Sequence, residues 1–385
     1  MNIGVIGNNN VSLAFALLCE RSGHHVFISH DQKNEINSKI TNSSEPLLLN
    51  YIVDSINLSA TTDNLEVITN SDIIFSFIDH GVLPNGLIDV SNTLSLIEEF
   101  GFAFENEIPV YDKTLVISST VNPGDIKNFF EILNPYTVDV CYHPINVRVS
   151  NIIHDFQNTN NLILGTSNPI TVSKITNIYS EFSKKEISVS MMSFKSAEIA
   201  KLALSAYSAM KINFANFIGD LCSVSNLTED IKIVLDSISK DNKVGSINFN
   251  YGFGYGGPNL PKEVVAFNKY CDSINMKIPL VSELELINDS HLKFIEEKLL
   301  DYNPNTDTPF NIYKISYKDN TDVIVESQKL LLVYSLLKKG YSVNIVDSSL
   351  LTVNKKIMLE LTNDFSGKIK VYKDGTKPNG IDIKL

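Results

Sequence analysis

The sequence predicts an α/β fold: two Rossmann-like, doubly wound lobes joined by a long central helix and a helical middle domain. Three observations predict it. The chain opens with an apolar strand, a turn and an apolar helix, and strands then alternate with helices. A helical pattern from Ser193 to Cys222 interrupts that alternation. The opening pattern returns near the end, where Gly340–Asp347 (GYSVNIVD) has the shape of Gly23–Asp31 (GHHVFISHD). At 385 residues, 43% hydrophobic and 20% charged, the chain has globular composition, enough core and room for two or three domains.

Each element has a local reason. Residues 2–7 (NIGVIG) read as a buried strand. An Asn-rich turn leads into the apolar helix Leu13–Arg21, and Gly23 separates it from a second strand, Val26–His30. Further strands are expected at Ile73–Ile78 and Leu115–Ser118, with helical segments between them. In the long helical stretch, Ile199, Leu202, Ala206, Met210, Phe214, Phe217 and Leu221 recur three or four residues apart and form one apolar face. A helix this long suits a spine between domains. The glycine-rich loop Asn250–Gly257 (NYGFGYGG) follows, and Asn303–Pro309 (NPNTDTP) has linker composition. Strand Phe310–Ser316, helix Glu326–Lys339, Gly340 and a strand ending at Asp347 rebuild the first pattern. The expected domains are residues 1–190, 191–302 and 303–385.

Charge and composition exclude several functions. With 32 basic and 44 acidic residues, the net charge is −12 and the pI about 5.1, which disfavours nonspecific binding to nucleic acid or anionic membrane. The longest apolar stretches, such as Leu330–Leu337, fall short of the roughly 18 residues a membrane span needs. The N-terminus lacks the basic segment of a signal peptide. Cys19, Cys141, Cys222 and Cys271 have neither zinc-finger nor CxxC spacing, and the seven histidines form no HExxH pair. A cytoplasmic protein without a metal site or nucleophile elbow is expected.

The first turn is a degenerate dinucleotide fingerprint. In the intact motif, glycines permit a tight turn, close approach of the pyrophosphate, and helix–strand packing. Here the run is Gly7-Asn8-Asn9-Asn10-Val11-Ser12, with Asn9 in the second glycine position and Ser12 in the third. Asn tolerates positive φ, so the turn can survive, but the Asn9 side chain would crowd a pyrophosphate. The expected cofactor contacts are Gly7, Asn9, Asn10, Val11 and Ser12. A carboxylate should end the second strand and hold the adenosine ribose, a contact worth about 1.5–3 kcal/mol. His30 stands there, with Asp31 next. The readings are NAD, NADP with His30 on the 2′-phosphate, or a lobe that no longer binds dinucleotide tightly.

Several further blocks, in order, resemble the UDP-glucose/GDP-mannose 6-dehydrogenase family. Val116–Gly124 (VISSTVNPG) is similar to V-I-x-S-T-V-x-x-G, and Tyr142–Ser150 (YHPINVRVS) sits where the family has x-x-P-E-F-L-x-E-G. Ala197–Asn216 resembles the helix E-x-x-K-x-x-x-N-x-x-x-A-x-K-x-x-x-x-N. Gly254–Glu263 (GYGGPNLPKE) resembles G-F/Y-G-G-x-C-x-P-K-D, and Tyr317–Ser327 (YKDNTDVIVES) resembles F-K-x-x-T-D-D-x-R-x-S. The resemblance covers nearly the whole chain. It implies an N-terminal dinucleotide-binding domain, a central domain for dimerisation and the active site, and a C-terminal nucleotide-sugar-binding domain. It also implies a homodimer about the long helix, a substrate such as UDP-glucose or a relative, and a role in polysaccharide biosynthesis.

The family oxidises a sugar 6-hydroxyl to a carboxylate with two NAD, through a thioester on a cysteine. A thiolate suits that acyl intermediate, a lysine stabilises oxyanion charge, and a carboxylate and a threonine manage water and protons. Carried over by the resemblance, Thr120 serves catalysis and the cofactor, Lys201 catalysis and the substrate, and Glu263 stands for the aspartate after P-K. Phe253, Gly254, Tyr255, Gly256, Gly257 and Lys318 are the expected nucleotide-sugar contacts, since glycines let amides approach phosphate and ribose. Glu198, Lys201, Ser205 and Ser208 share one polar helix face, expected to be an active-site stripe.

The departures are as informative. Asn259 replaces the nucleophilic cysteine, and an amide cannot form a thioester. Ile145 and Val149 replace two glutamates, Ser205 the helix asparagine, Val325 the arginine that crosses the dimer, and Phe77–His80 the family's V-P-T-P. The expectation is an NAD(P)-dependent oxidoreductase limited to a single hydride transfer, with Lys201, Thr120, Asn259 and Glu263 in the catalytic set. The alternative is a catalytically inactive paralogue that binds a nucleotide sugar or a partner protein.

Overall fold

A computed structural model describes residues 1–29, 45, 47, 48, 51, 57–108, 110–306 and 308–383. The described chain divides into two compact units, Met1–Ala203 and Leu204–Leu385.

The first unit is built on an eight-stranded sheet. Its strands are β1 (Asn2–Ile6), β2 (His25–Ser29), β3 (Leu58–Thr61), β4 (Ile73–Ser76), β5 (Thr114–Ile117), β6 (Asp139–Tyr142), β7 (Asn161–Gly165) and β8 (Ser188–Met192). The order β3-β2-β1-β4-β5-β6-β7-β8 reverses direction between β1 and β4, the crevice where open α/β sheets bind ligands. Every pairing is parallel except β6 with β7, which meet through Tyr142 and Gly165.

Alternation divides the core between the two faces. Ile3, Val5, Ile73 and Phe75 pack with helix Asn10–Arg21 and with Phe156, Ile175 and Tyr179. Ile6, Ile74, Leu115 and Ile117 pack with Leu96 and Phe100 of helix Ser91–Glu105 and with Phe129 of helix Asp125–Leu133. Strands covered on both sides must be apolar throughout, which explains the continuous runs IIF and LVI. Phe15 anchors the first face, its ring 4.5 Å from Phe75 and 5.6 Å from Phe156.

Helix Phe194–Val224 runs across the boundary between the units. Within the second unit follow helices Ile231–Ser239, Leu260–Ser273 and Leu284–Tyr302, then four parallel strands. These are β9 (Phe310–Tyr313), β10 (Val343–Val346), β11 (Ile369–Tyr372) and β12 (Ile381–Asp382), in the order β11-β10-β9-β12. Helix Gln328–Lys338 packs Leu332, Val333 and Leu336 on β9 and β10.

The expected repeat of the opening motif is present. Helix Asn10–Arg21 and helix Gln328–Lys338 both end in a glycine turn, at Gly23 and Gly340, with φ near +93° in each. Their N–H groups donate to Glu20 and Leu337. Other expectations shift. The first helix starts at Asn10 rather than Leu13, because Asn9 caps it. Strand β8 was not anticipated, since Ser188, Val189 and Met191 are exposed and carry little apolar signal. The long helix does not bury its whole apolar face: Phe214, Phe217 and Leu221 are 50%, 54% and 51% exposed. No helix among the described residues is long and apolar enough to cross a membrane.

Candidate functional site

At the carboxyl ends of β1 and β4, the first unit holds a cavity of about 430 Å³. Ile6, Gly7, Asn8, Ser29, Asp79 and Glu99 are among the residues that line it. Among the described residues that line it there is no lysine or arginine, and there are two carboxylates. Glu99 accepts from Asn64 at 3.0 Å, and burial raises its pKa. Gly7 has φ +151°, and a Cβ there would stand 2.9 Å from the Phe77 carbonyl. The first glycine of the fingerprint is therefore required by close approach.

The turn that follows is held by its own side chains. Asn9 Oδ1 accepts from the N–H of Val11 at 3.1 Å and of Ser12 at 2.9 Å. Asn9 Nδ2 donates to the Phe77 carbonyl at 2.7 Å and to Asp79 Oδ2 at 3.1 Å. Ser12 Oγ lies 2.7 Å from the Gly7 carbonyl and accepts from the Asn9 N–H, closing a capping box. Asn9 has φ −145°, so it keeps the turn as an extended N-cap and not through positive φ. His30 and Asp31, the residues expected on the ribose, lie outside the described residues.

Beyond β5, the buried hydroxyls of Ser118 and Ser119 have no hydrogen-bond partner among the described residues, and neither has Ser76 at the end of β4. Thr120, half-buried, follows them at the same edge of the sheet. Polar groups without partners at the ligand edge are the groups a bound molecule can satisfy.

The expected polar stripe on the long helix divides. Glu198, fully buried, accepts from the N–H of Gly124 at 2.6 Å and of Ile126 at 2.8 Å, so it caps helix Asp125–Leu133. Burial raises its pKa, and those two donors oppose the rise. Lys201, 7% exposed, donates from Nζ to the Ile145 carbonyl at 3.2 Å and to Asn146 Oδ1 at 3.0 Å. Ser205 donates to Glu263 Oε2, and both are buried. Ser208 turns back to the Leu204 carbonyl at an exposed position. Glu198 and Ser208 are therefore helix-capping and surface groups, not members of a single catalytic row.

In the second unit, the glycine loop is shaped by what presses on it. A Cβ on Gly254 would lie 2.1 Å from Asn288 Oδ1, and one on Gly256 2.1 Å from the Glu326 carbonyl. Gly257 has φ +87° beneath the Tyr317 ring and donates to the Val325 carbonyl at 3.0 Å. Side chains far away in sequence hold the backbone. Asn288 accepts from the Tyr255 N–H at 2.9 Å and donates to the Tyr255 carbonyl at 3.0 Å. Asn216 Oδ1 accepts from the Gly252 N–H at 3.1 Å. His291 faces the Gly252 carbonyl with Nε2 and Asp220 with Nδ1, both at 2.7 Å. Periodicity offered no sign of these supports, because each is one polar residue on an ordinary helix.

Around the loop, Phe253 is half-buried, with Lys329 Nζ 5.6 Å from its ring centroid. Lys318 Nζ is 5.6 Å from the ring centroid of Tyr317. Asn259 is exposed and opens helix Leu260–Ser273 without a side-chain cap bond. All four cysteines are buried, and burial pushes the thiols of Cys19, Cys141 and Cys271 up.

A sheet parallel but for one pairing, with a cavity at its switch point beside a helix N-terminus, defines a doubly wound α/β protein of the nucleotide-binding class. Family models match over most of the chain: the NAD binding domain of the UDP-glucose/GDP-mannose dehydrogenase family over residues 1–183, and its central domain over residues 195–290. The chain belongs to the UDP-glucose/GDP-mannose dehydrogenase family. It is 25% identical over 363 residues to UDP-glucose 6-dehydrogenase of Rickettsia bellii, covering 90% of this chain and 81% of that protein. It is 26% identical over 367 residues to GDP-mannose 6-dehydrogenase of Pseudomonas aeruginosa, again covering 90% and 81%. The structure of a UDP-glucose dehydrogenase from Pyrobaculum islandicum shares the fold, with TM-score 0.85 and 19% identity over 100% of this chain and 94% of that one.

NAD is accordingly the cofactor of this family's N-terminal domain. The residues present fit it unevenly. The cavity, the close approach at Gly7 and the serine hydroxyls without partners among the described residues suit the dinucleotide. Asn9, however, holds two of the N–H groups that a pyrophosphate needs.

Proposed function

We propose that this protein is an NAD-dependent oxidoreductase that transfers one hydride from a carbinol of a nucleotide sugar such as UDP-glucose, and stops at the aldehyde or ketone. NAD supplies the hydride acceptor when bound. Lys201 steadies the charge of the reacting hydroxyl and relays its proton, giving one N–H proton to water as it takes the hydroxyl's; Thr120 orients that hydroxyl or the water, and Asn259 donates to the carbonyl that forms. The observation that carries this reading is Lys201: a buried ammonium held between the Ile145 carbonyl and the Asn146 amide. A lysine is costly to bury unless its donors are used, so its placement has a purpose. The Ser205–Glu263 pair keeps a buried carboxylate in the same reading. The second oxidation is left out because Asn259 offers no thiol and the protein's four thiols are all buried.

The reading includes three functional parts, residues 1–190 for the dinucleotide, 191–302 for the active site and the dimer, and 303–385 for the nucleotide sugar, which Phe253–Gly257 and Lys318 also contact. A homodimer about the long helix is supported by its exposed apolar residues Leu204, Tyr207, Phe214, Phe217, Leu221 and Val224, spaced on one side of the helix. A cytoplasmic enzyme of polysaccharide biosynthesis is consistent with four free cysteines.

One observation favours an inactive paralogue that binds a nucleotide sugar or a partner protein: the cofactor turn is capped by its own Asn9. Mass spectrometry of the product, with NADH formation followed in parallel, decides between the readings. One NADH per carbonyl product is expected, and Lys201→Ala should lower the rate at least a hundredfold, the scale of a lost acid–base group. Formation of the uronic acid overturns the single transfer, and no turnover with any sugar nucleotide supports the paralogue.

A further inference from the structure

We propose that the Asn9 carboxamide is a built-in competitor for the cofactor pyrophosphate, a latch that must open before a dinucleotide seats. The inference rests on the NAD-dependent reading above. An amide side chain can accept two hydrogen bonds and donate two. Asn9 uses all four: Oδ1 takes the N–H groups of Val11 and Ser12, and Nδ2 donates to the Phe77 carbonyl and Asp79. The Leu13 N–H goes to the Asn9 backbone carbonyl at 3.2 Å. The Leu13 bond is the helix's own first bond, so the side chain satisfies two of the N–H groups, Val11 and Ser12, that the helix leaves without a backbone partner. Those groups, with the helix dipole, are what bind an anion at such a turn.

The latch is tied across the switch point. Its donors reach the segment after β4, so the carboxamide bridges the ends of β1 and β4, the two strands that flank the switch point. A pyrophosphate entering this turn must displace Oδ1 from Val11 and Ser12. It then meets the Asp79 carboxylate, which loses its Asn9 donor at the same moment. Among the described residues, the cavity beside the turn is lined by carboxylates that add to that repulsion. The adenosine half carries no charge, so it draws no repulsion from Asp79. The penalty therefore falls on the phosphates, and affinity for the dinucleotide is set by a capping side chain whose place glycine can take. Asn9 is extended, a conformation open to any residue.

The test is calorimetric titration of the full-length protein with NADH, ADP-ribose and adenosine. Asn9→Gly should tighten NADH and ADP-ribose about fivefold or more, the worth of a helix cap, and leave adenosine within about twofold. Glycine is itself tolerated at a cap, so the fold should persist. Asp79→Ala keeps the cap bonds on Val11 and Ser12 while removing one anchor and the charge, and should tighten the same two ligands. NADH binding to the wild type that neither variant improves overturns the latch and leaves the NAD reading standing. Equal tightening of adenosine also overturns it. Failure of the wild type and both variants to bind NADH overturns the latch and the NAD reading together.

Discussion

At the residue scale, His143 shows how burial sets chemistry. It is 3% exposed, with Nδ1 on the Ile163 carbonyl at 3.0 Å and Nε2 on the Tyr179 hydroxyl at 2.9 Å. Burial lowers its pKa from the ordinary 6.5 to about 4. Between those values the unfolded chain holds a proton that the native chain does not. This residue's contribution to stability is therefore complete above pH 6.5 and declines as pH falls towards 4. From pH 7 to pH 5 the loss should be about 2 kcal/mol, at about 1.4 kcal/mol per pH unit. Urea unfolding at the two pH values checks it: His143→Gln, which keeps hydrogen-bonding groups and does not titrate, should lose less than the wild type by that amount. Equal losses would refute the assignment. The same burial explains the thiols, whose raised pKa values leave little thiolate at neutral pH.

At the scale of elements, one helix commonly serves another's end. Helix Asp125–Leu133 has Gly124 at its N-cap, with no side chain of its own to offer. Glu198 of the long helix fills that role, across 74 residues of sequence. Replacing it with Ala strands two N–H groups in a buried place, at about 1–3 kcal/mol for each donor left unsatisfied. Glu198→Ala should therefore lower the unfolding free energy by about 2–4 kcal/mol, and Glu198→Gln by less, because one acceptor oxygen remains. Chemical denaturation measures both. A neutral Ala variant would mean that water replaces the carboxylate. The glycine loop follows the same rule in the second unit, where Asn216, Asn288 and His291 hold its backbone from two helices.

At the scale of the whole molecule, the exposed apolar side of the long helix carries the consequence. Six large apolar residues between Leu204 and Val224 are 42% to 64% exposed. Phe217 is 54% exposed, so Phe217→Glu should disturb the monomer little. If that face joins two copies, the variant should shift the mass measured by light scattering from dimer to monomer at micromolar protein. A wild type that is monomeric, or a variant whose mass does not change, removes the homodimer from the functional reading. The net charge of −12 opposes self-association, so a dimer of this chain would need the apolar contact of that face.

Much of this was legible in the amino-acid order. Period-two and period-3.6 patterns are local, and they located β1, β4, β5, β9 and the helix Phe194–Val224 to within a few residues. The spacing of short motifs was enough to identify the family, because glycines, Lys201 and the P-K pair sit at separations that the fold repeats. Tertiary structure alone decided what each polar group does. Glu198, Lys201, Ser205 and Ser208 are one stripe by spacing, yet their partners are a helix end, a backbone carbonyl with an amide, a buried carboxylate and the helix itself. Asn9 reads as a spoiled glycine in the sequence and becomes a four-bonded cap only when Asp79, 70 residues on, arrives beside it. Backbone preference is set within a turn or two of chain, whereas a hydrogen bond depends on which distant strand ends the fold brings together.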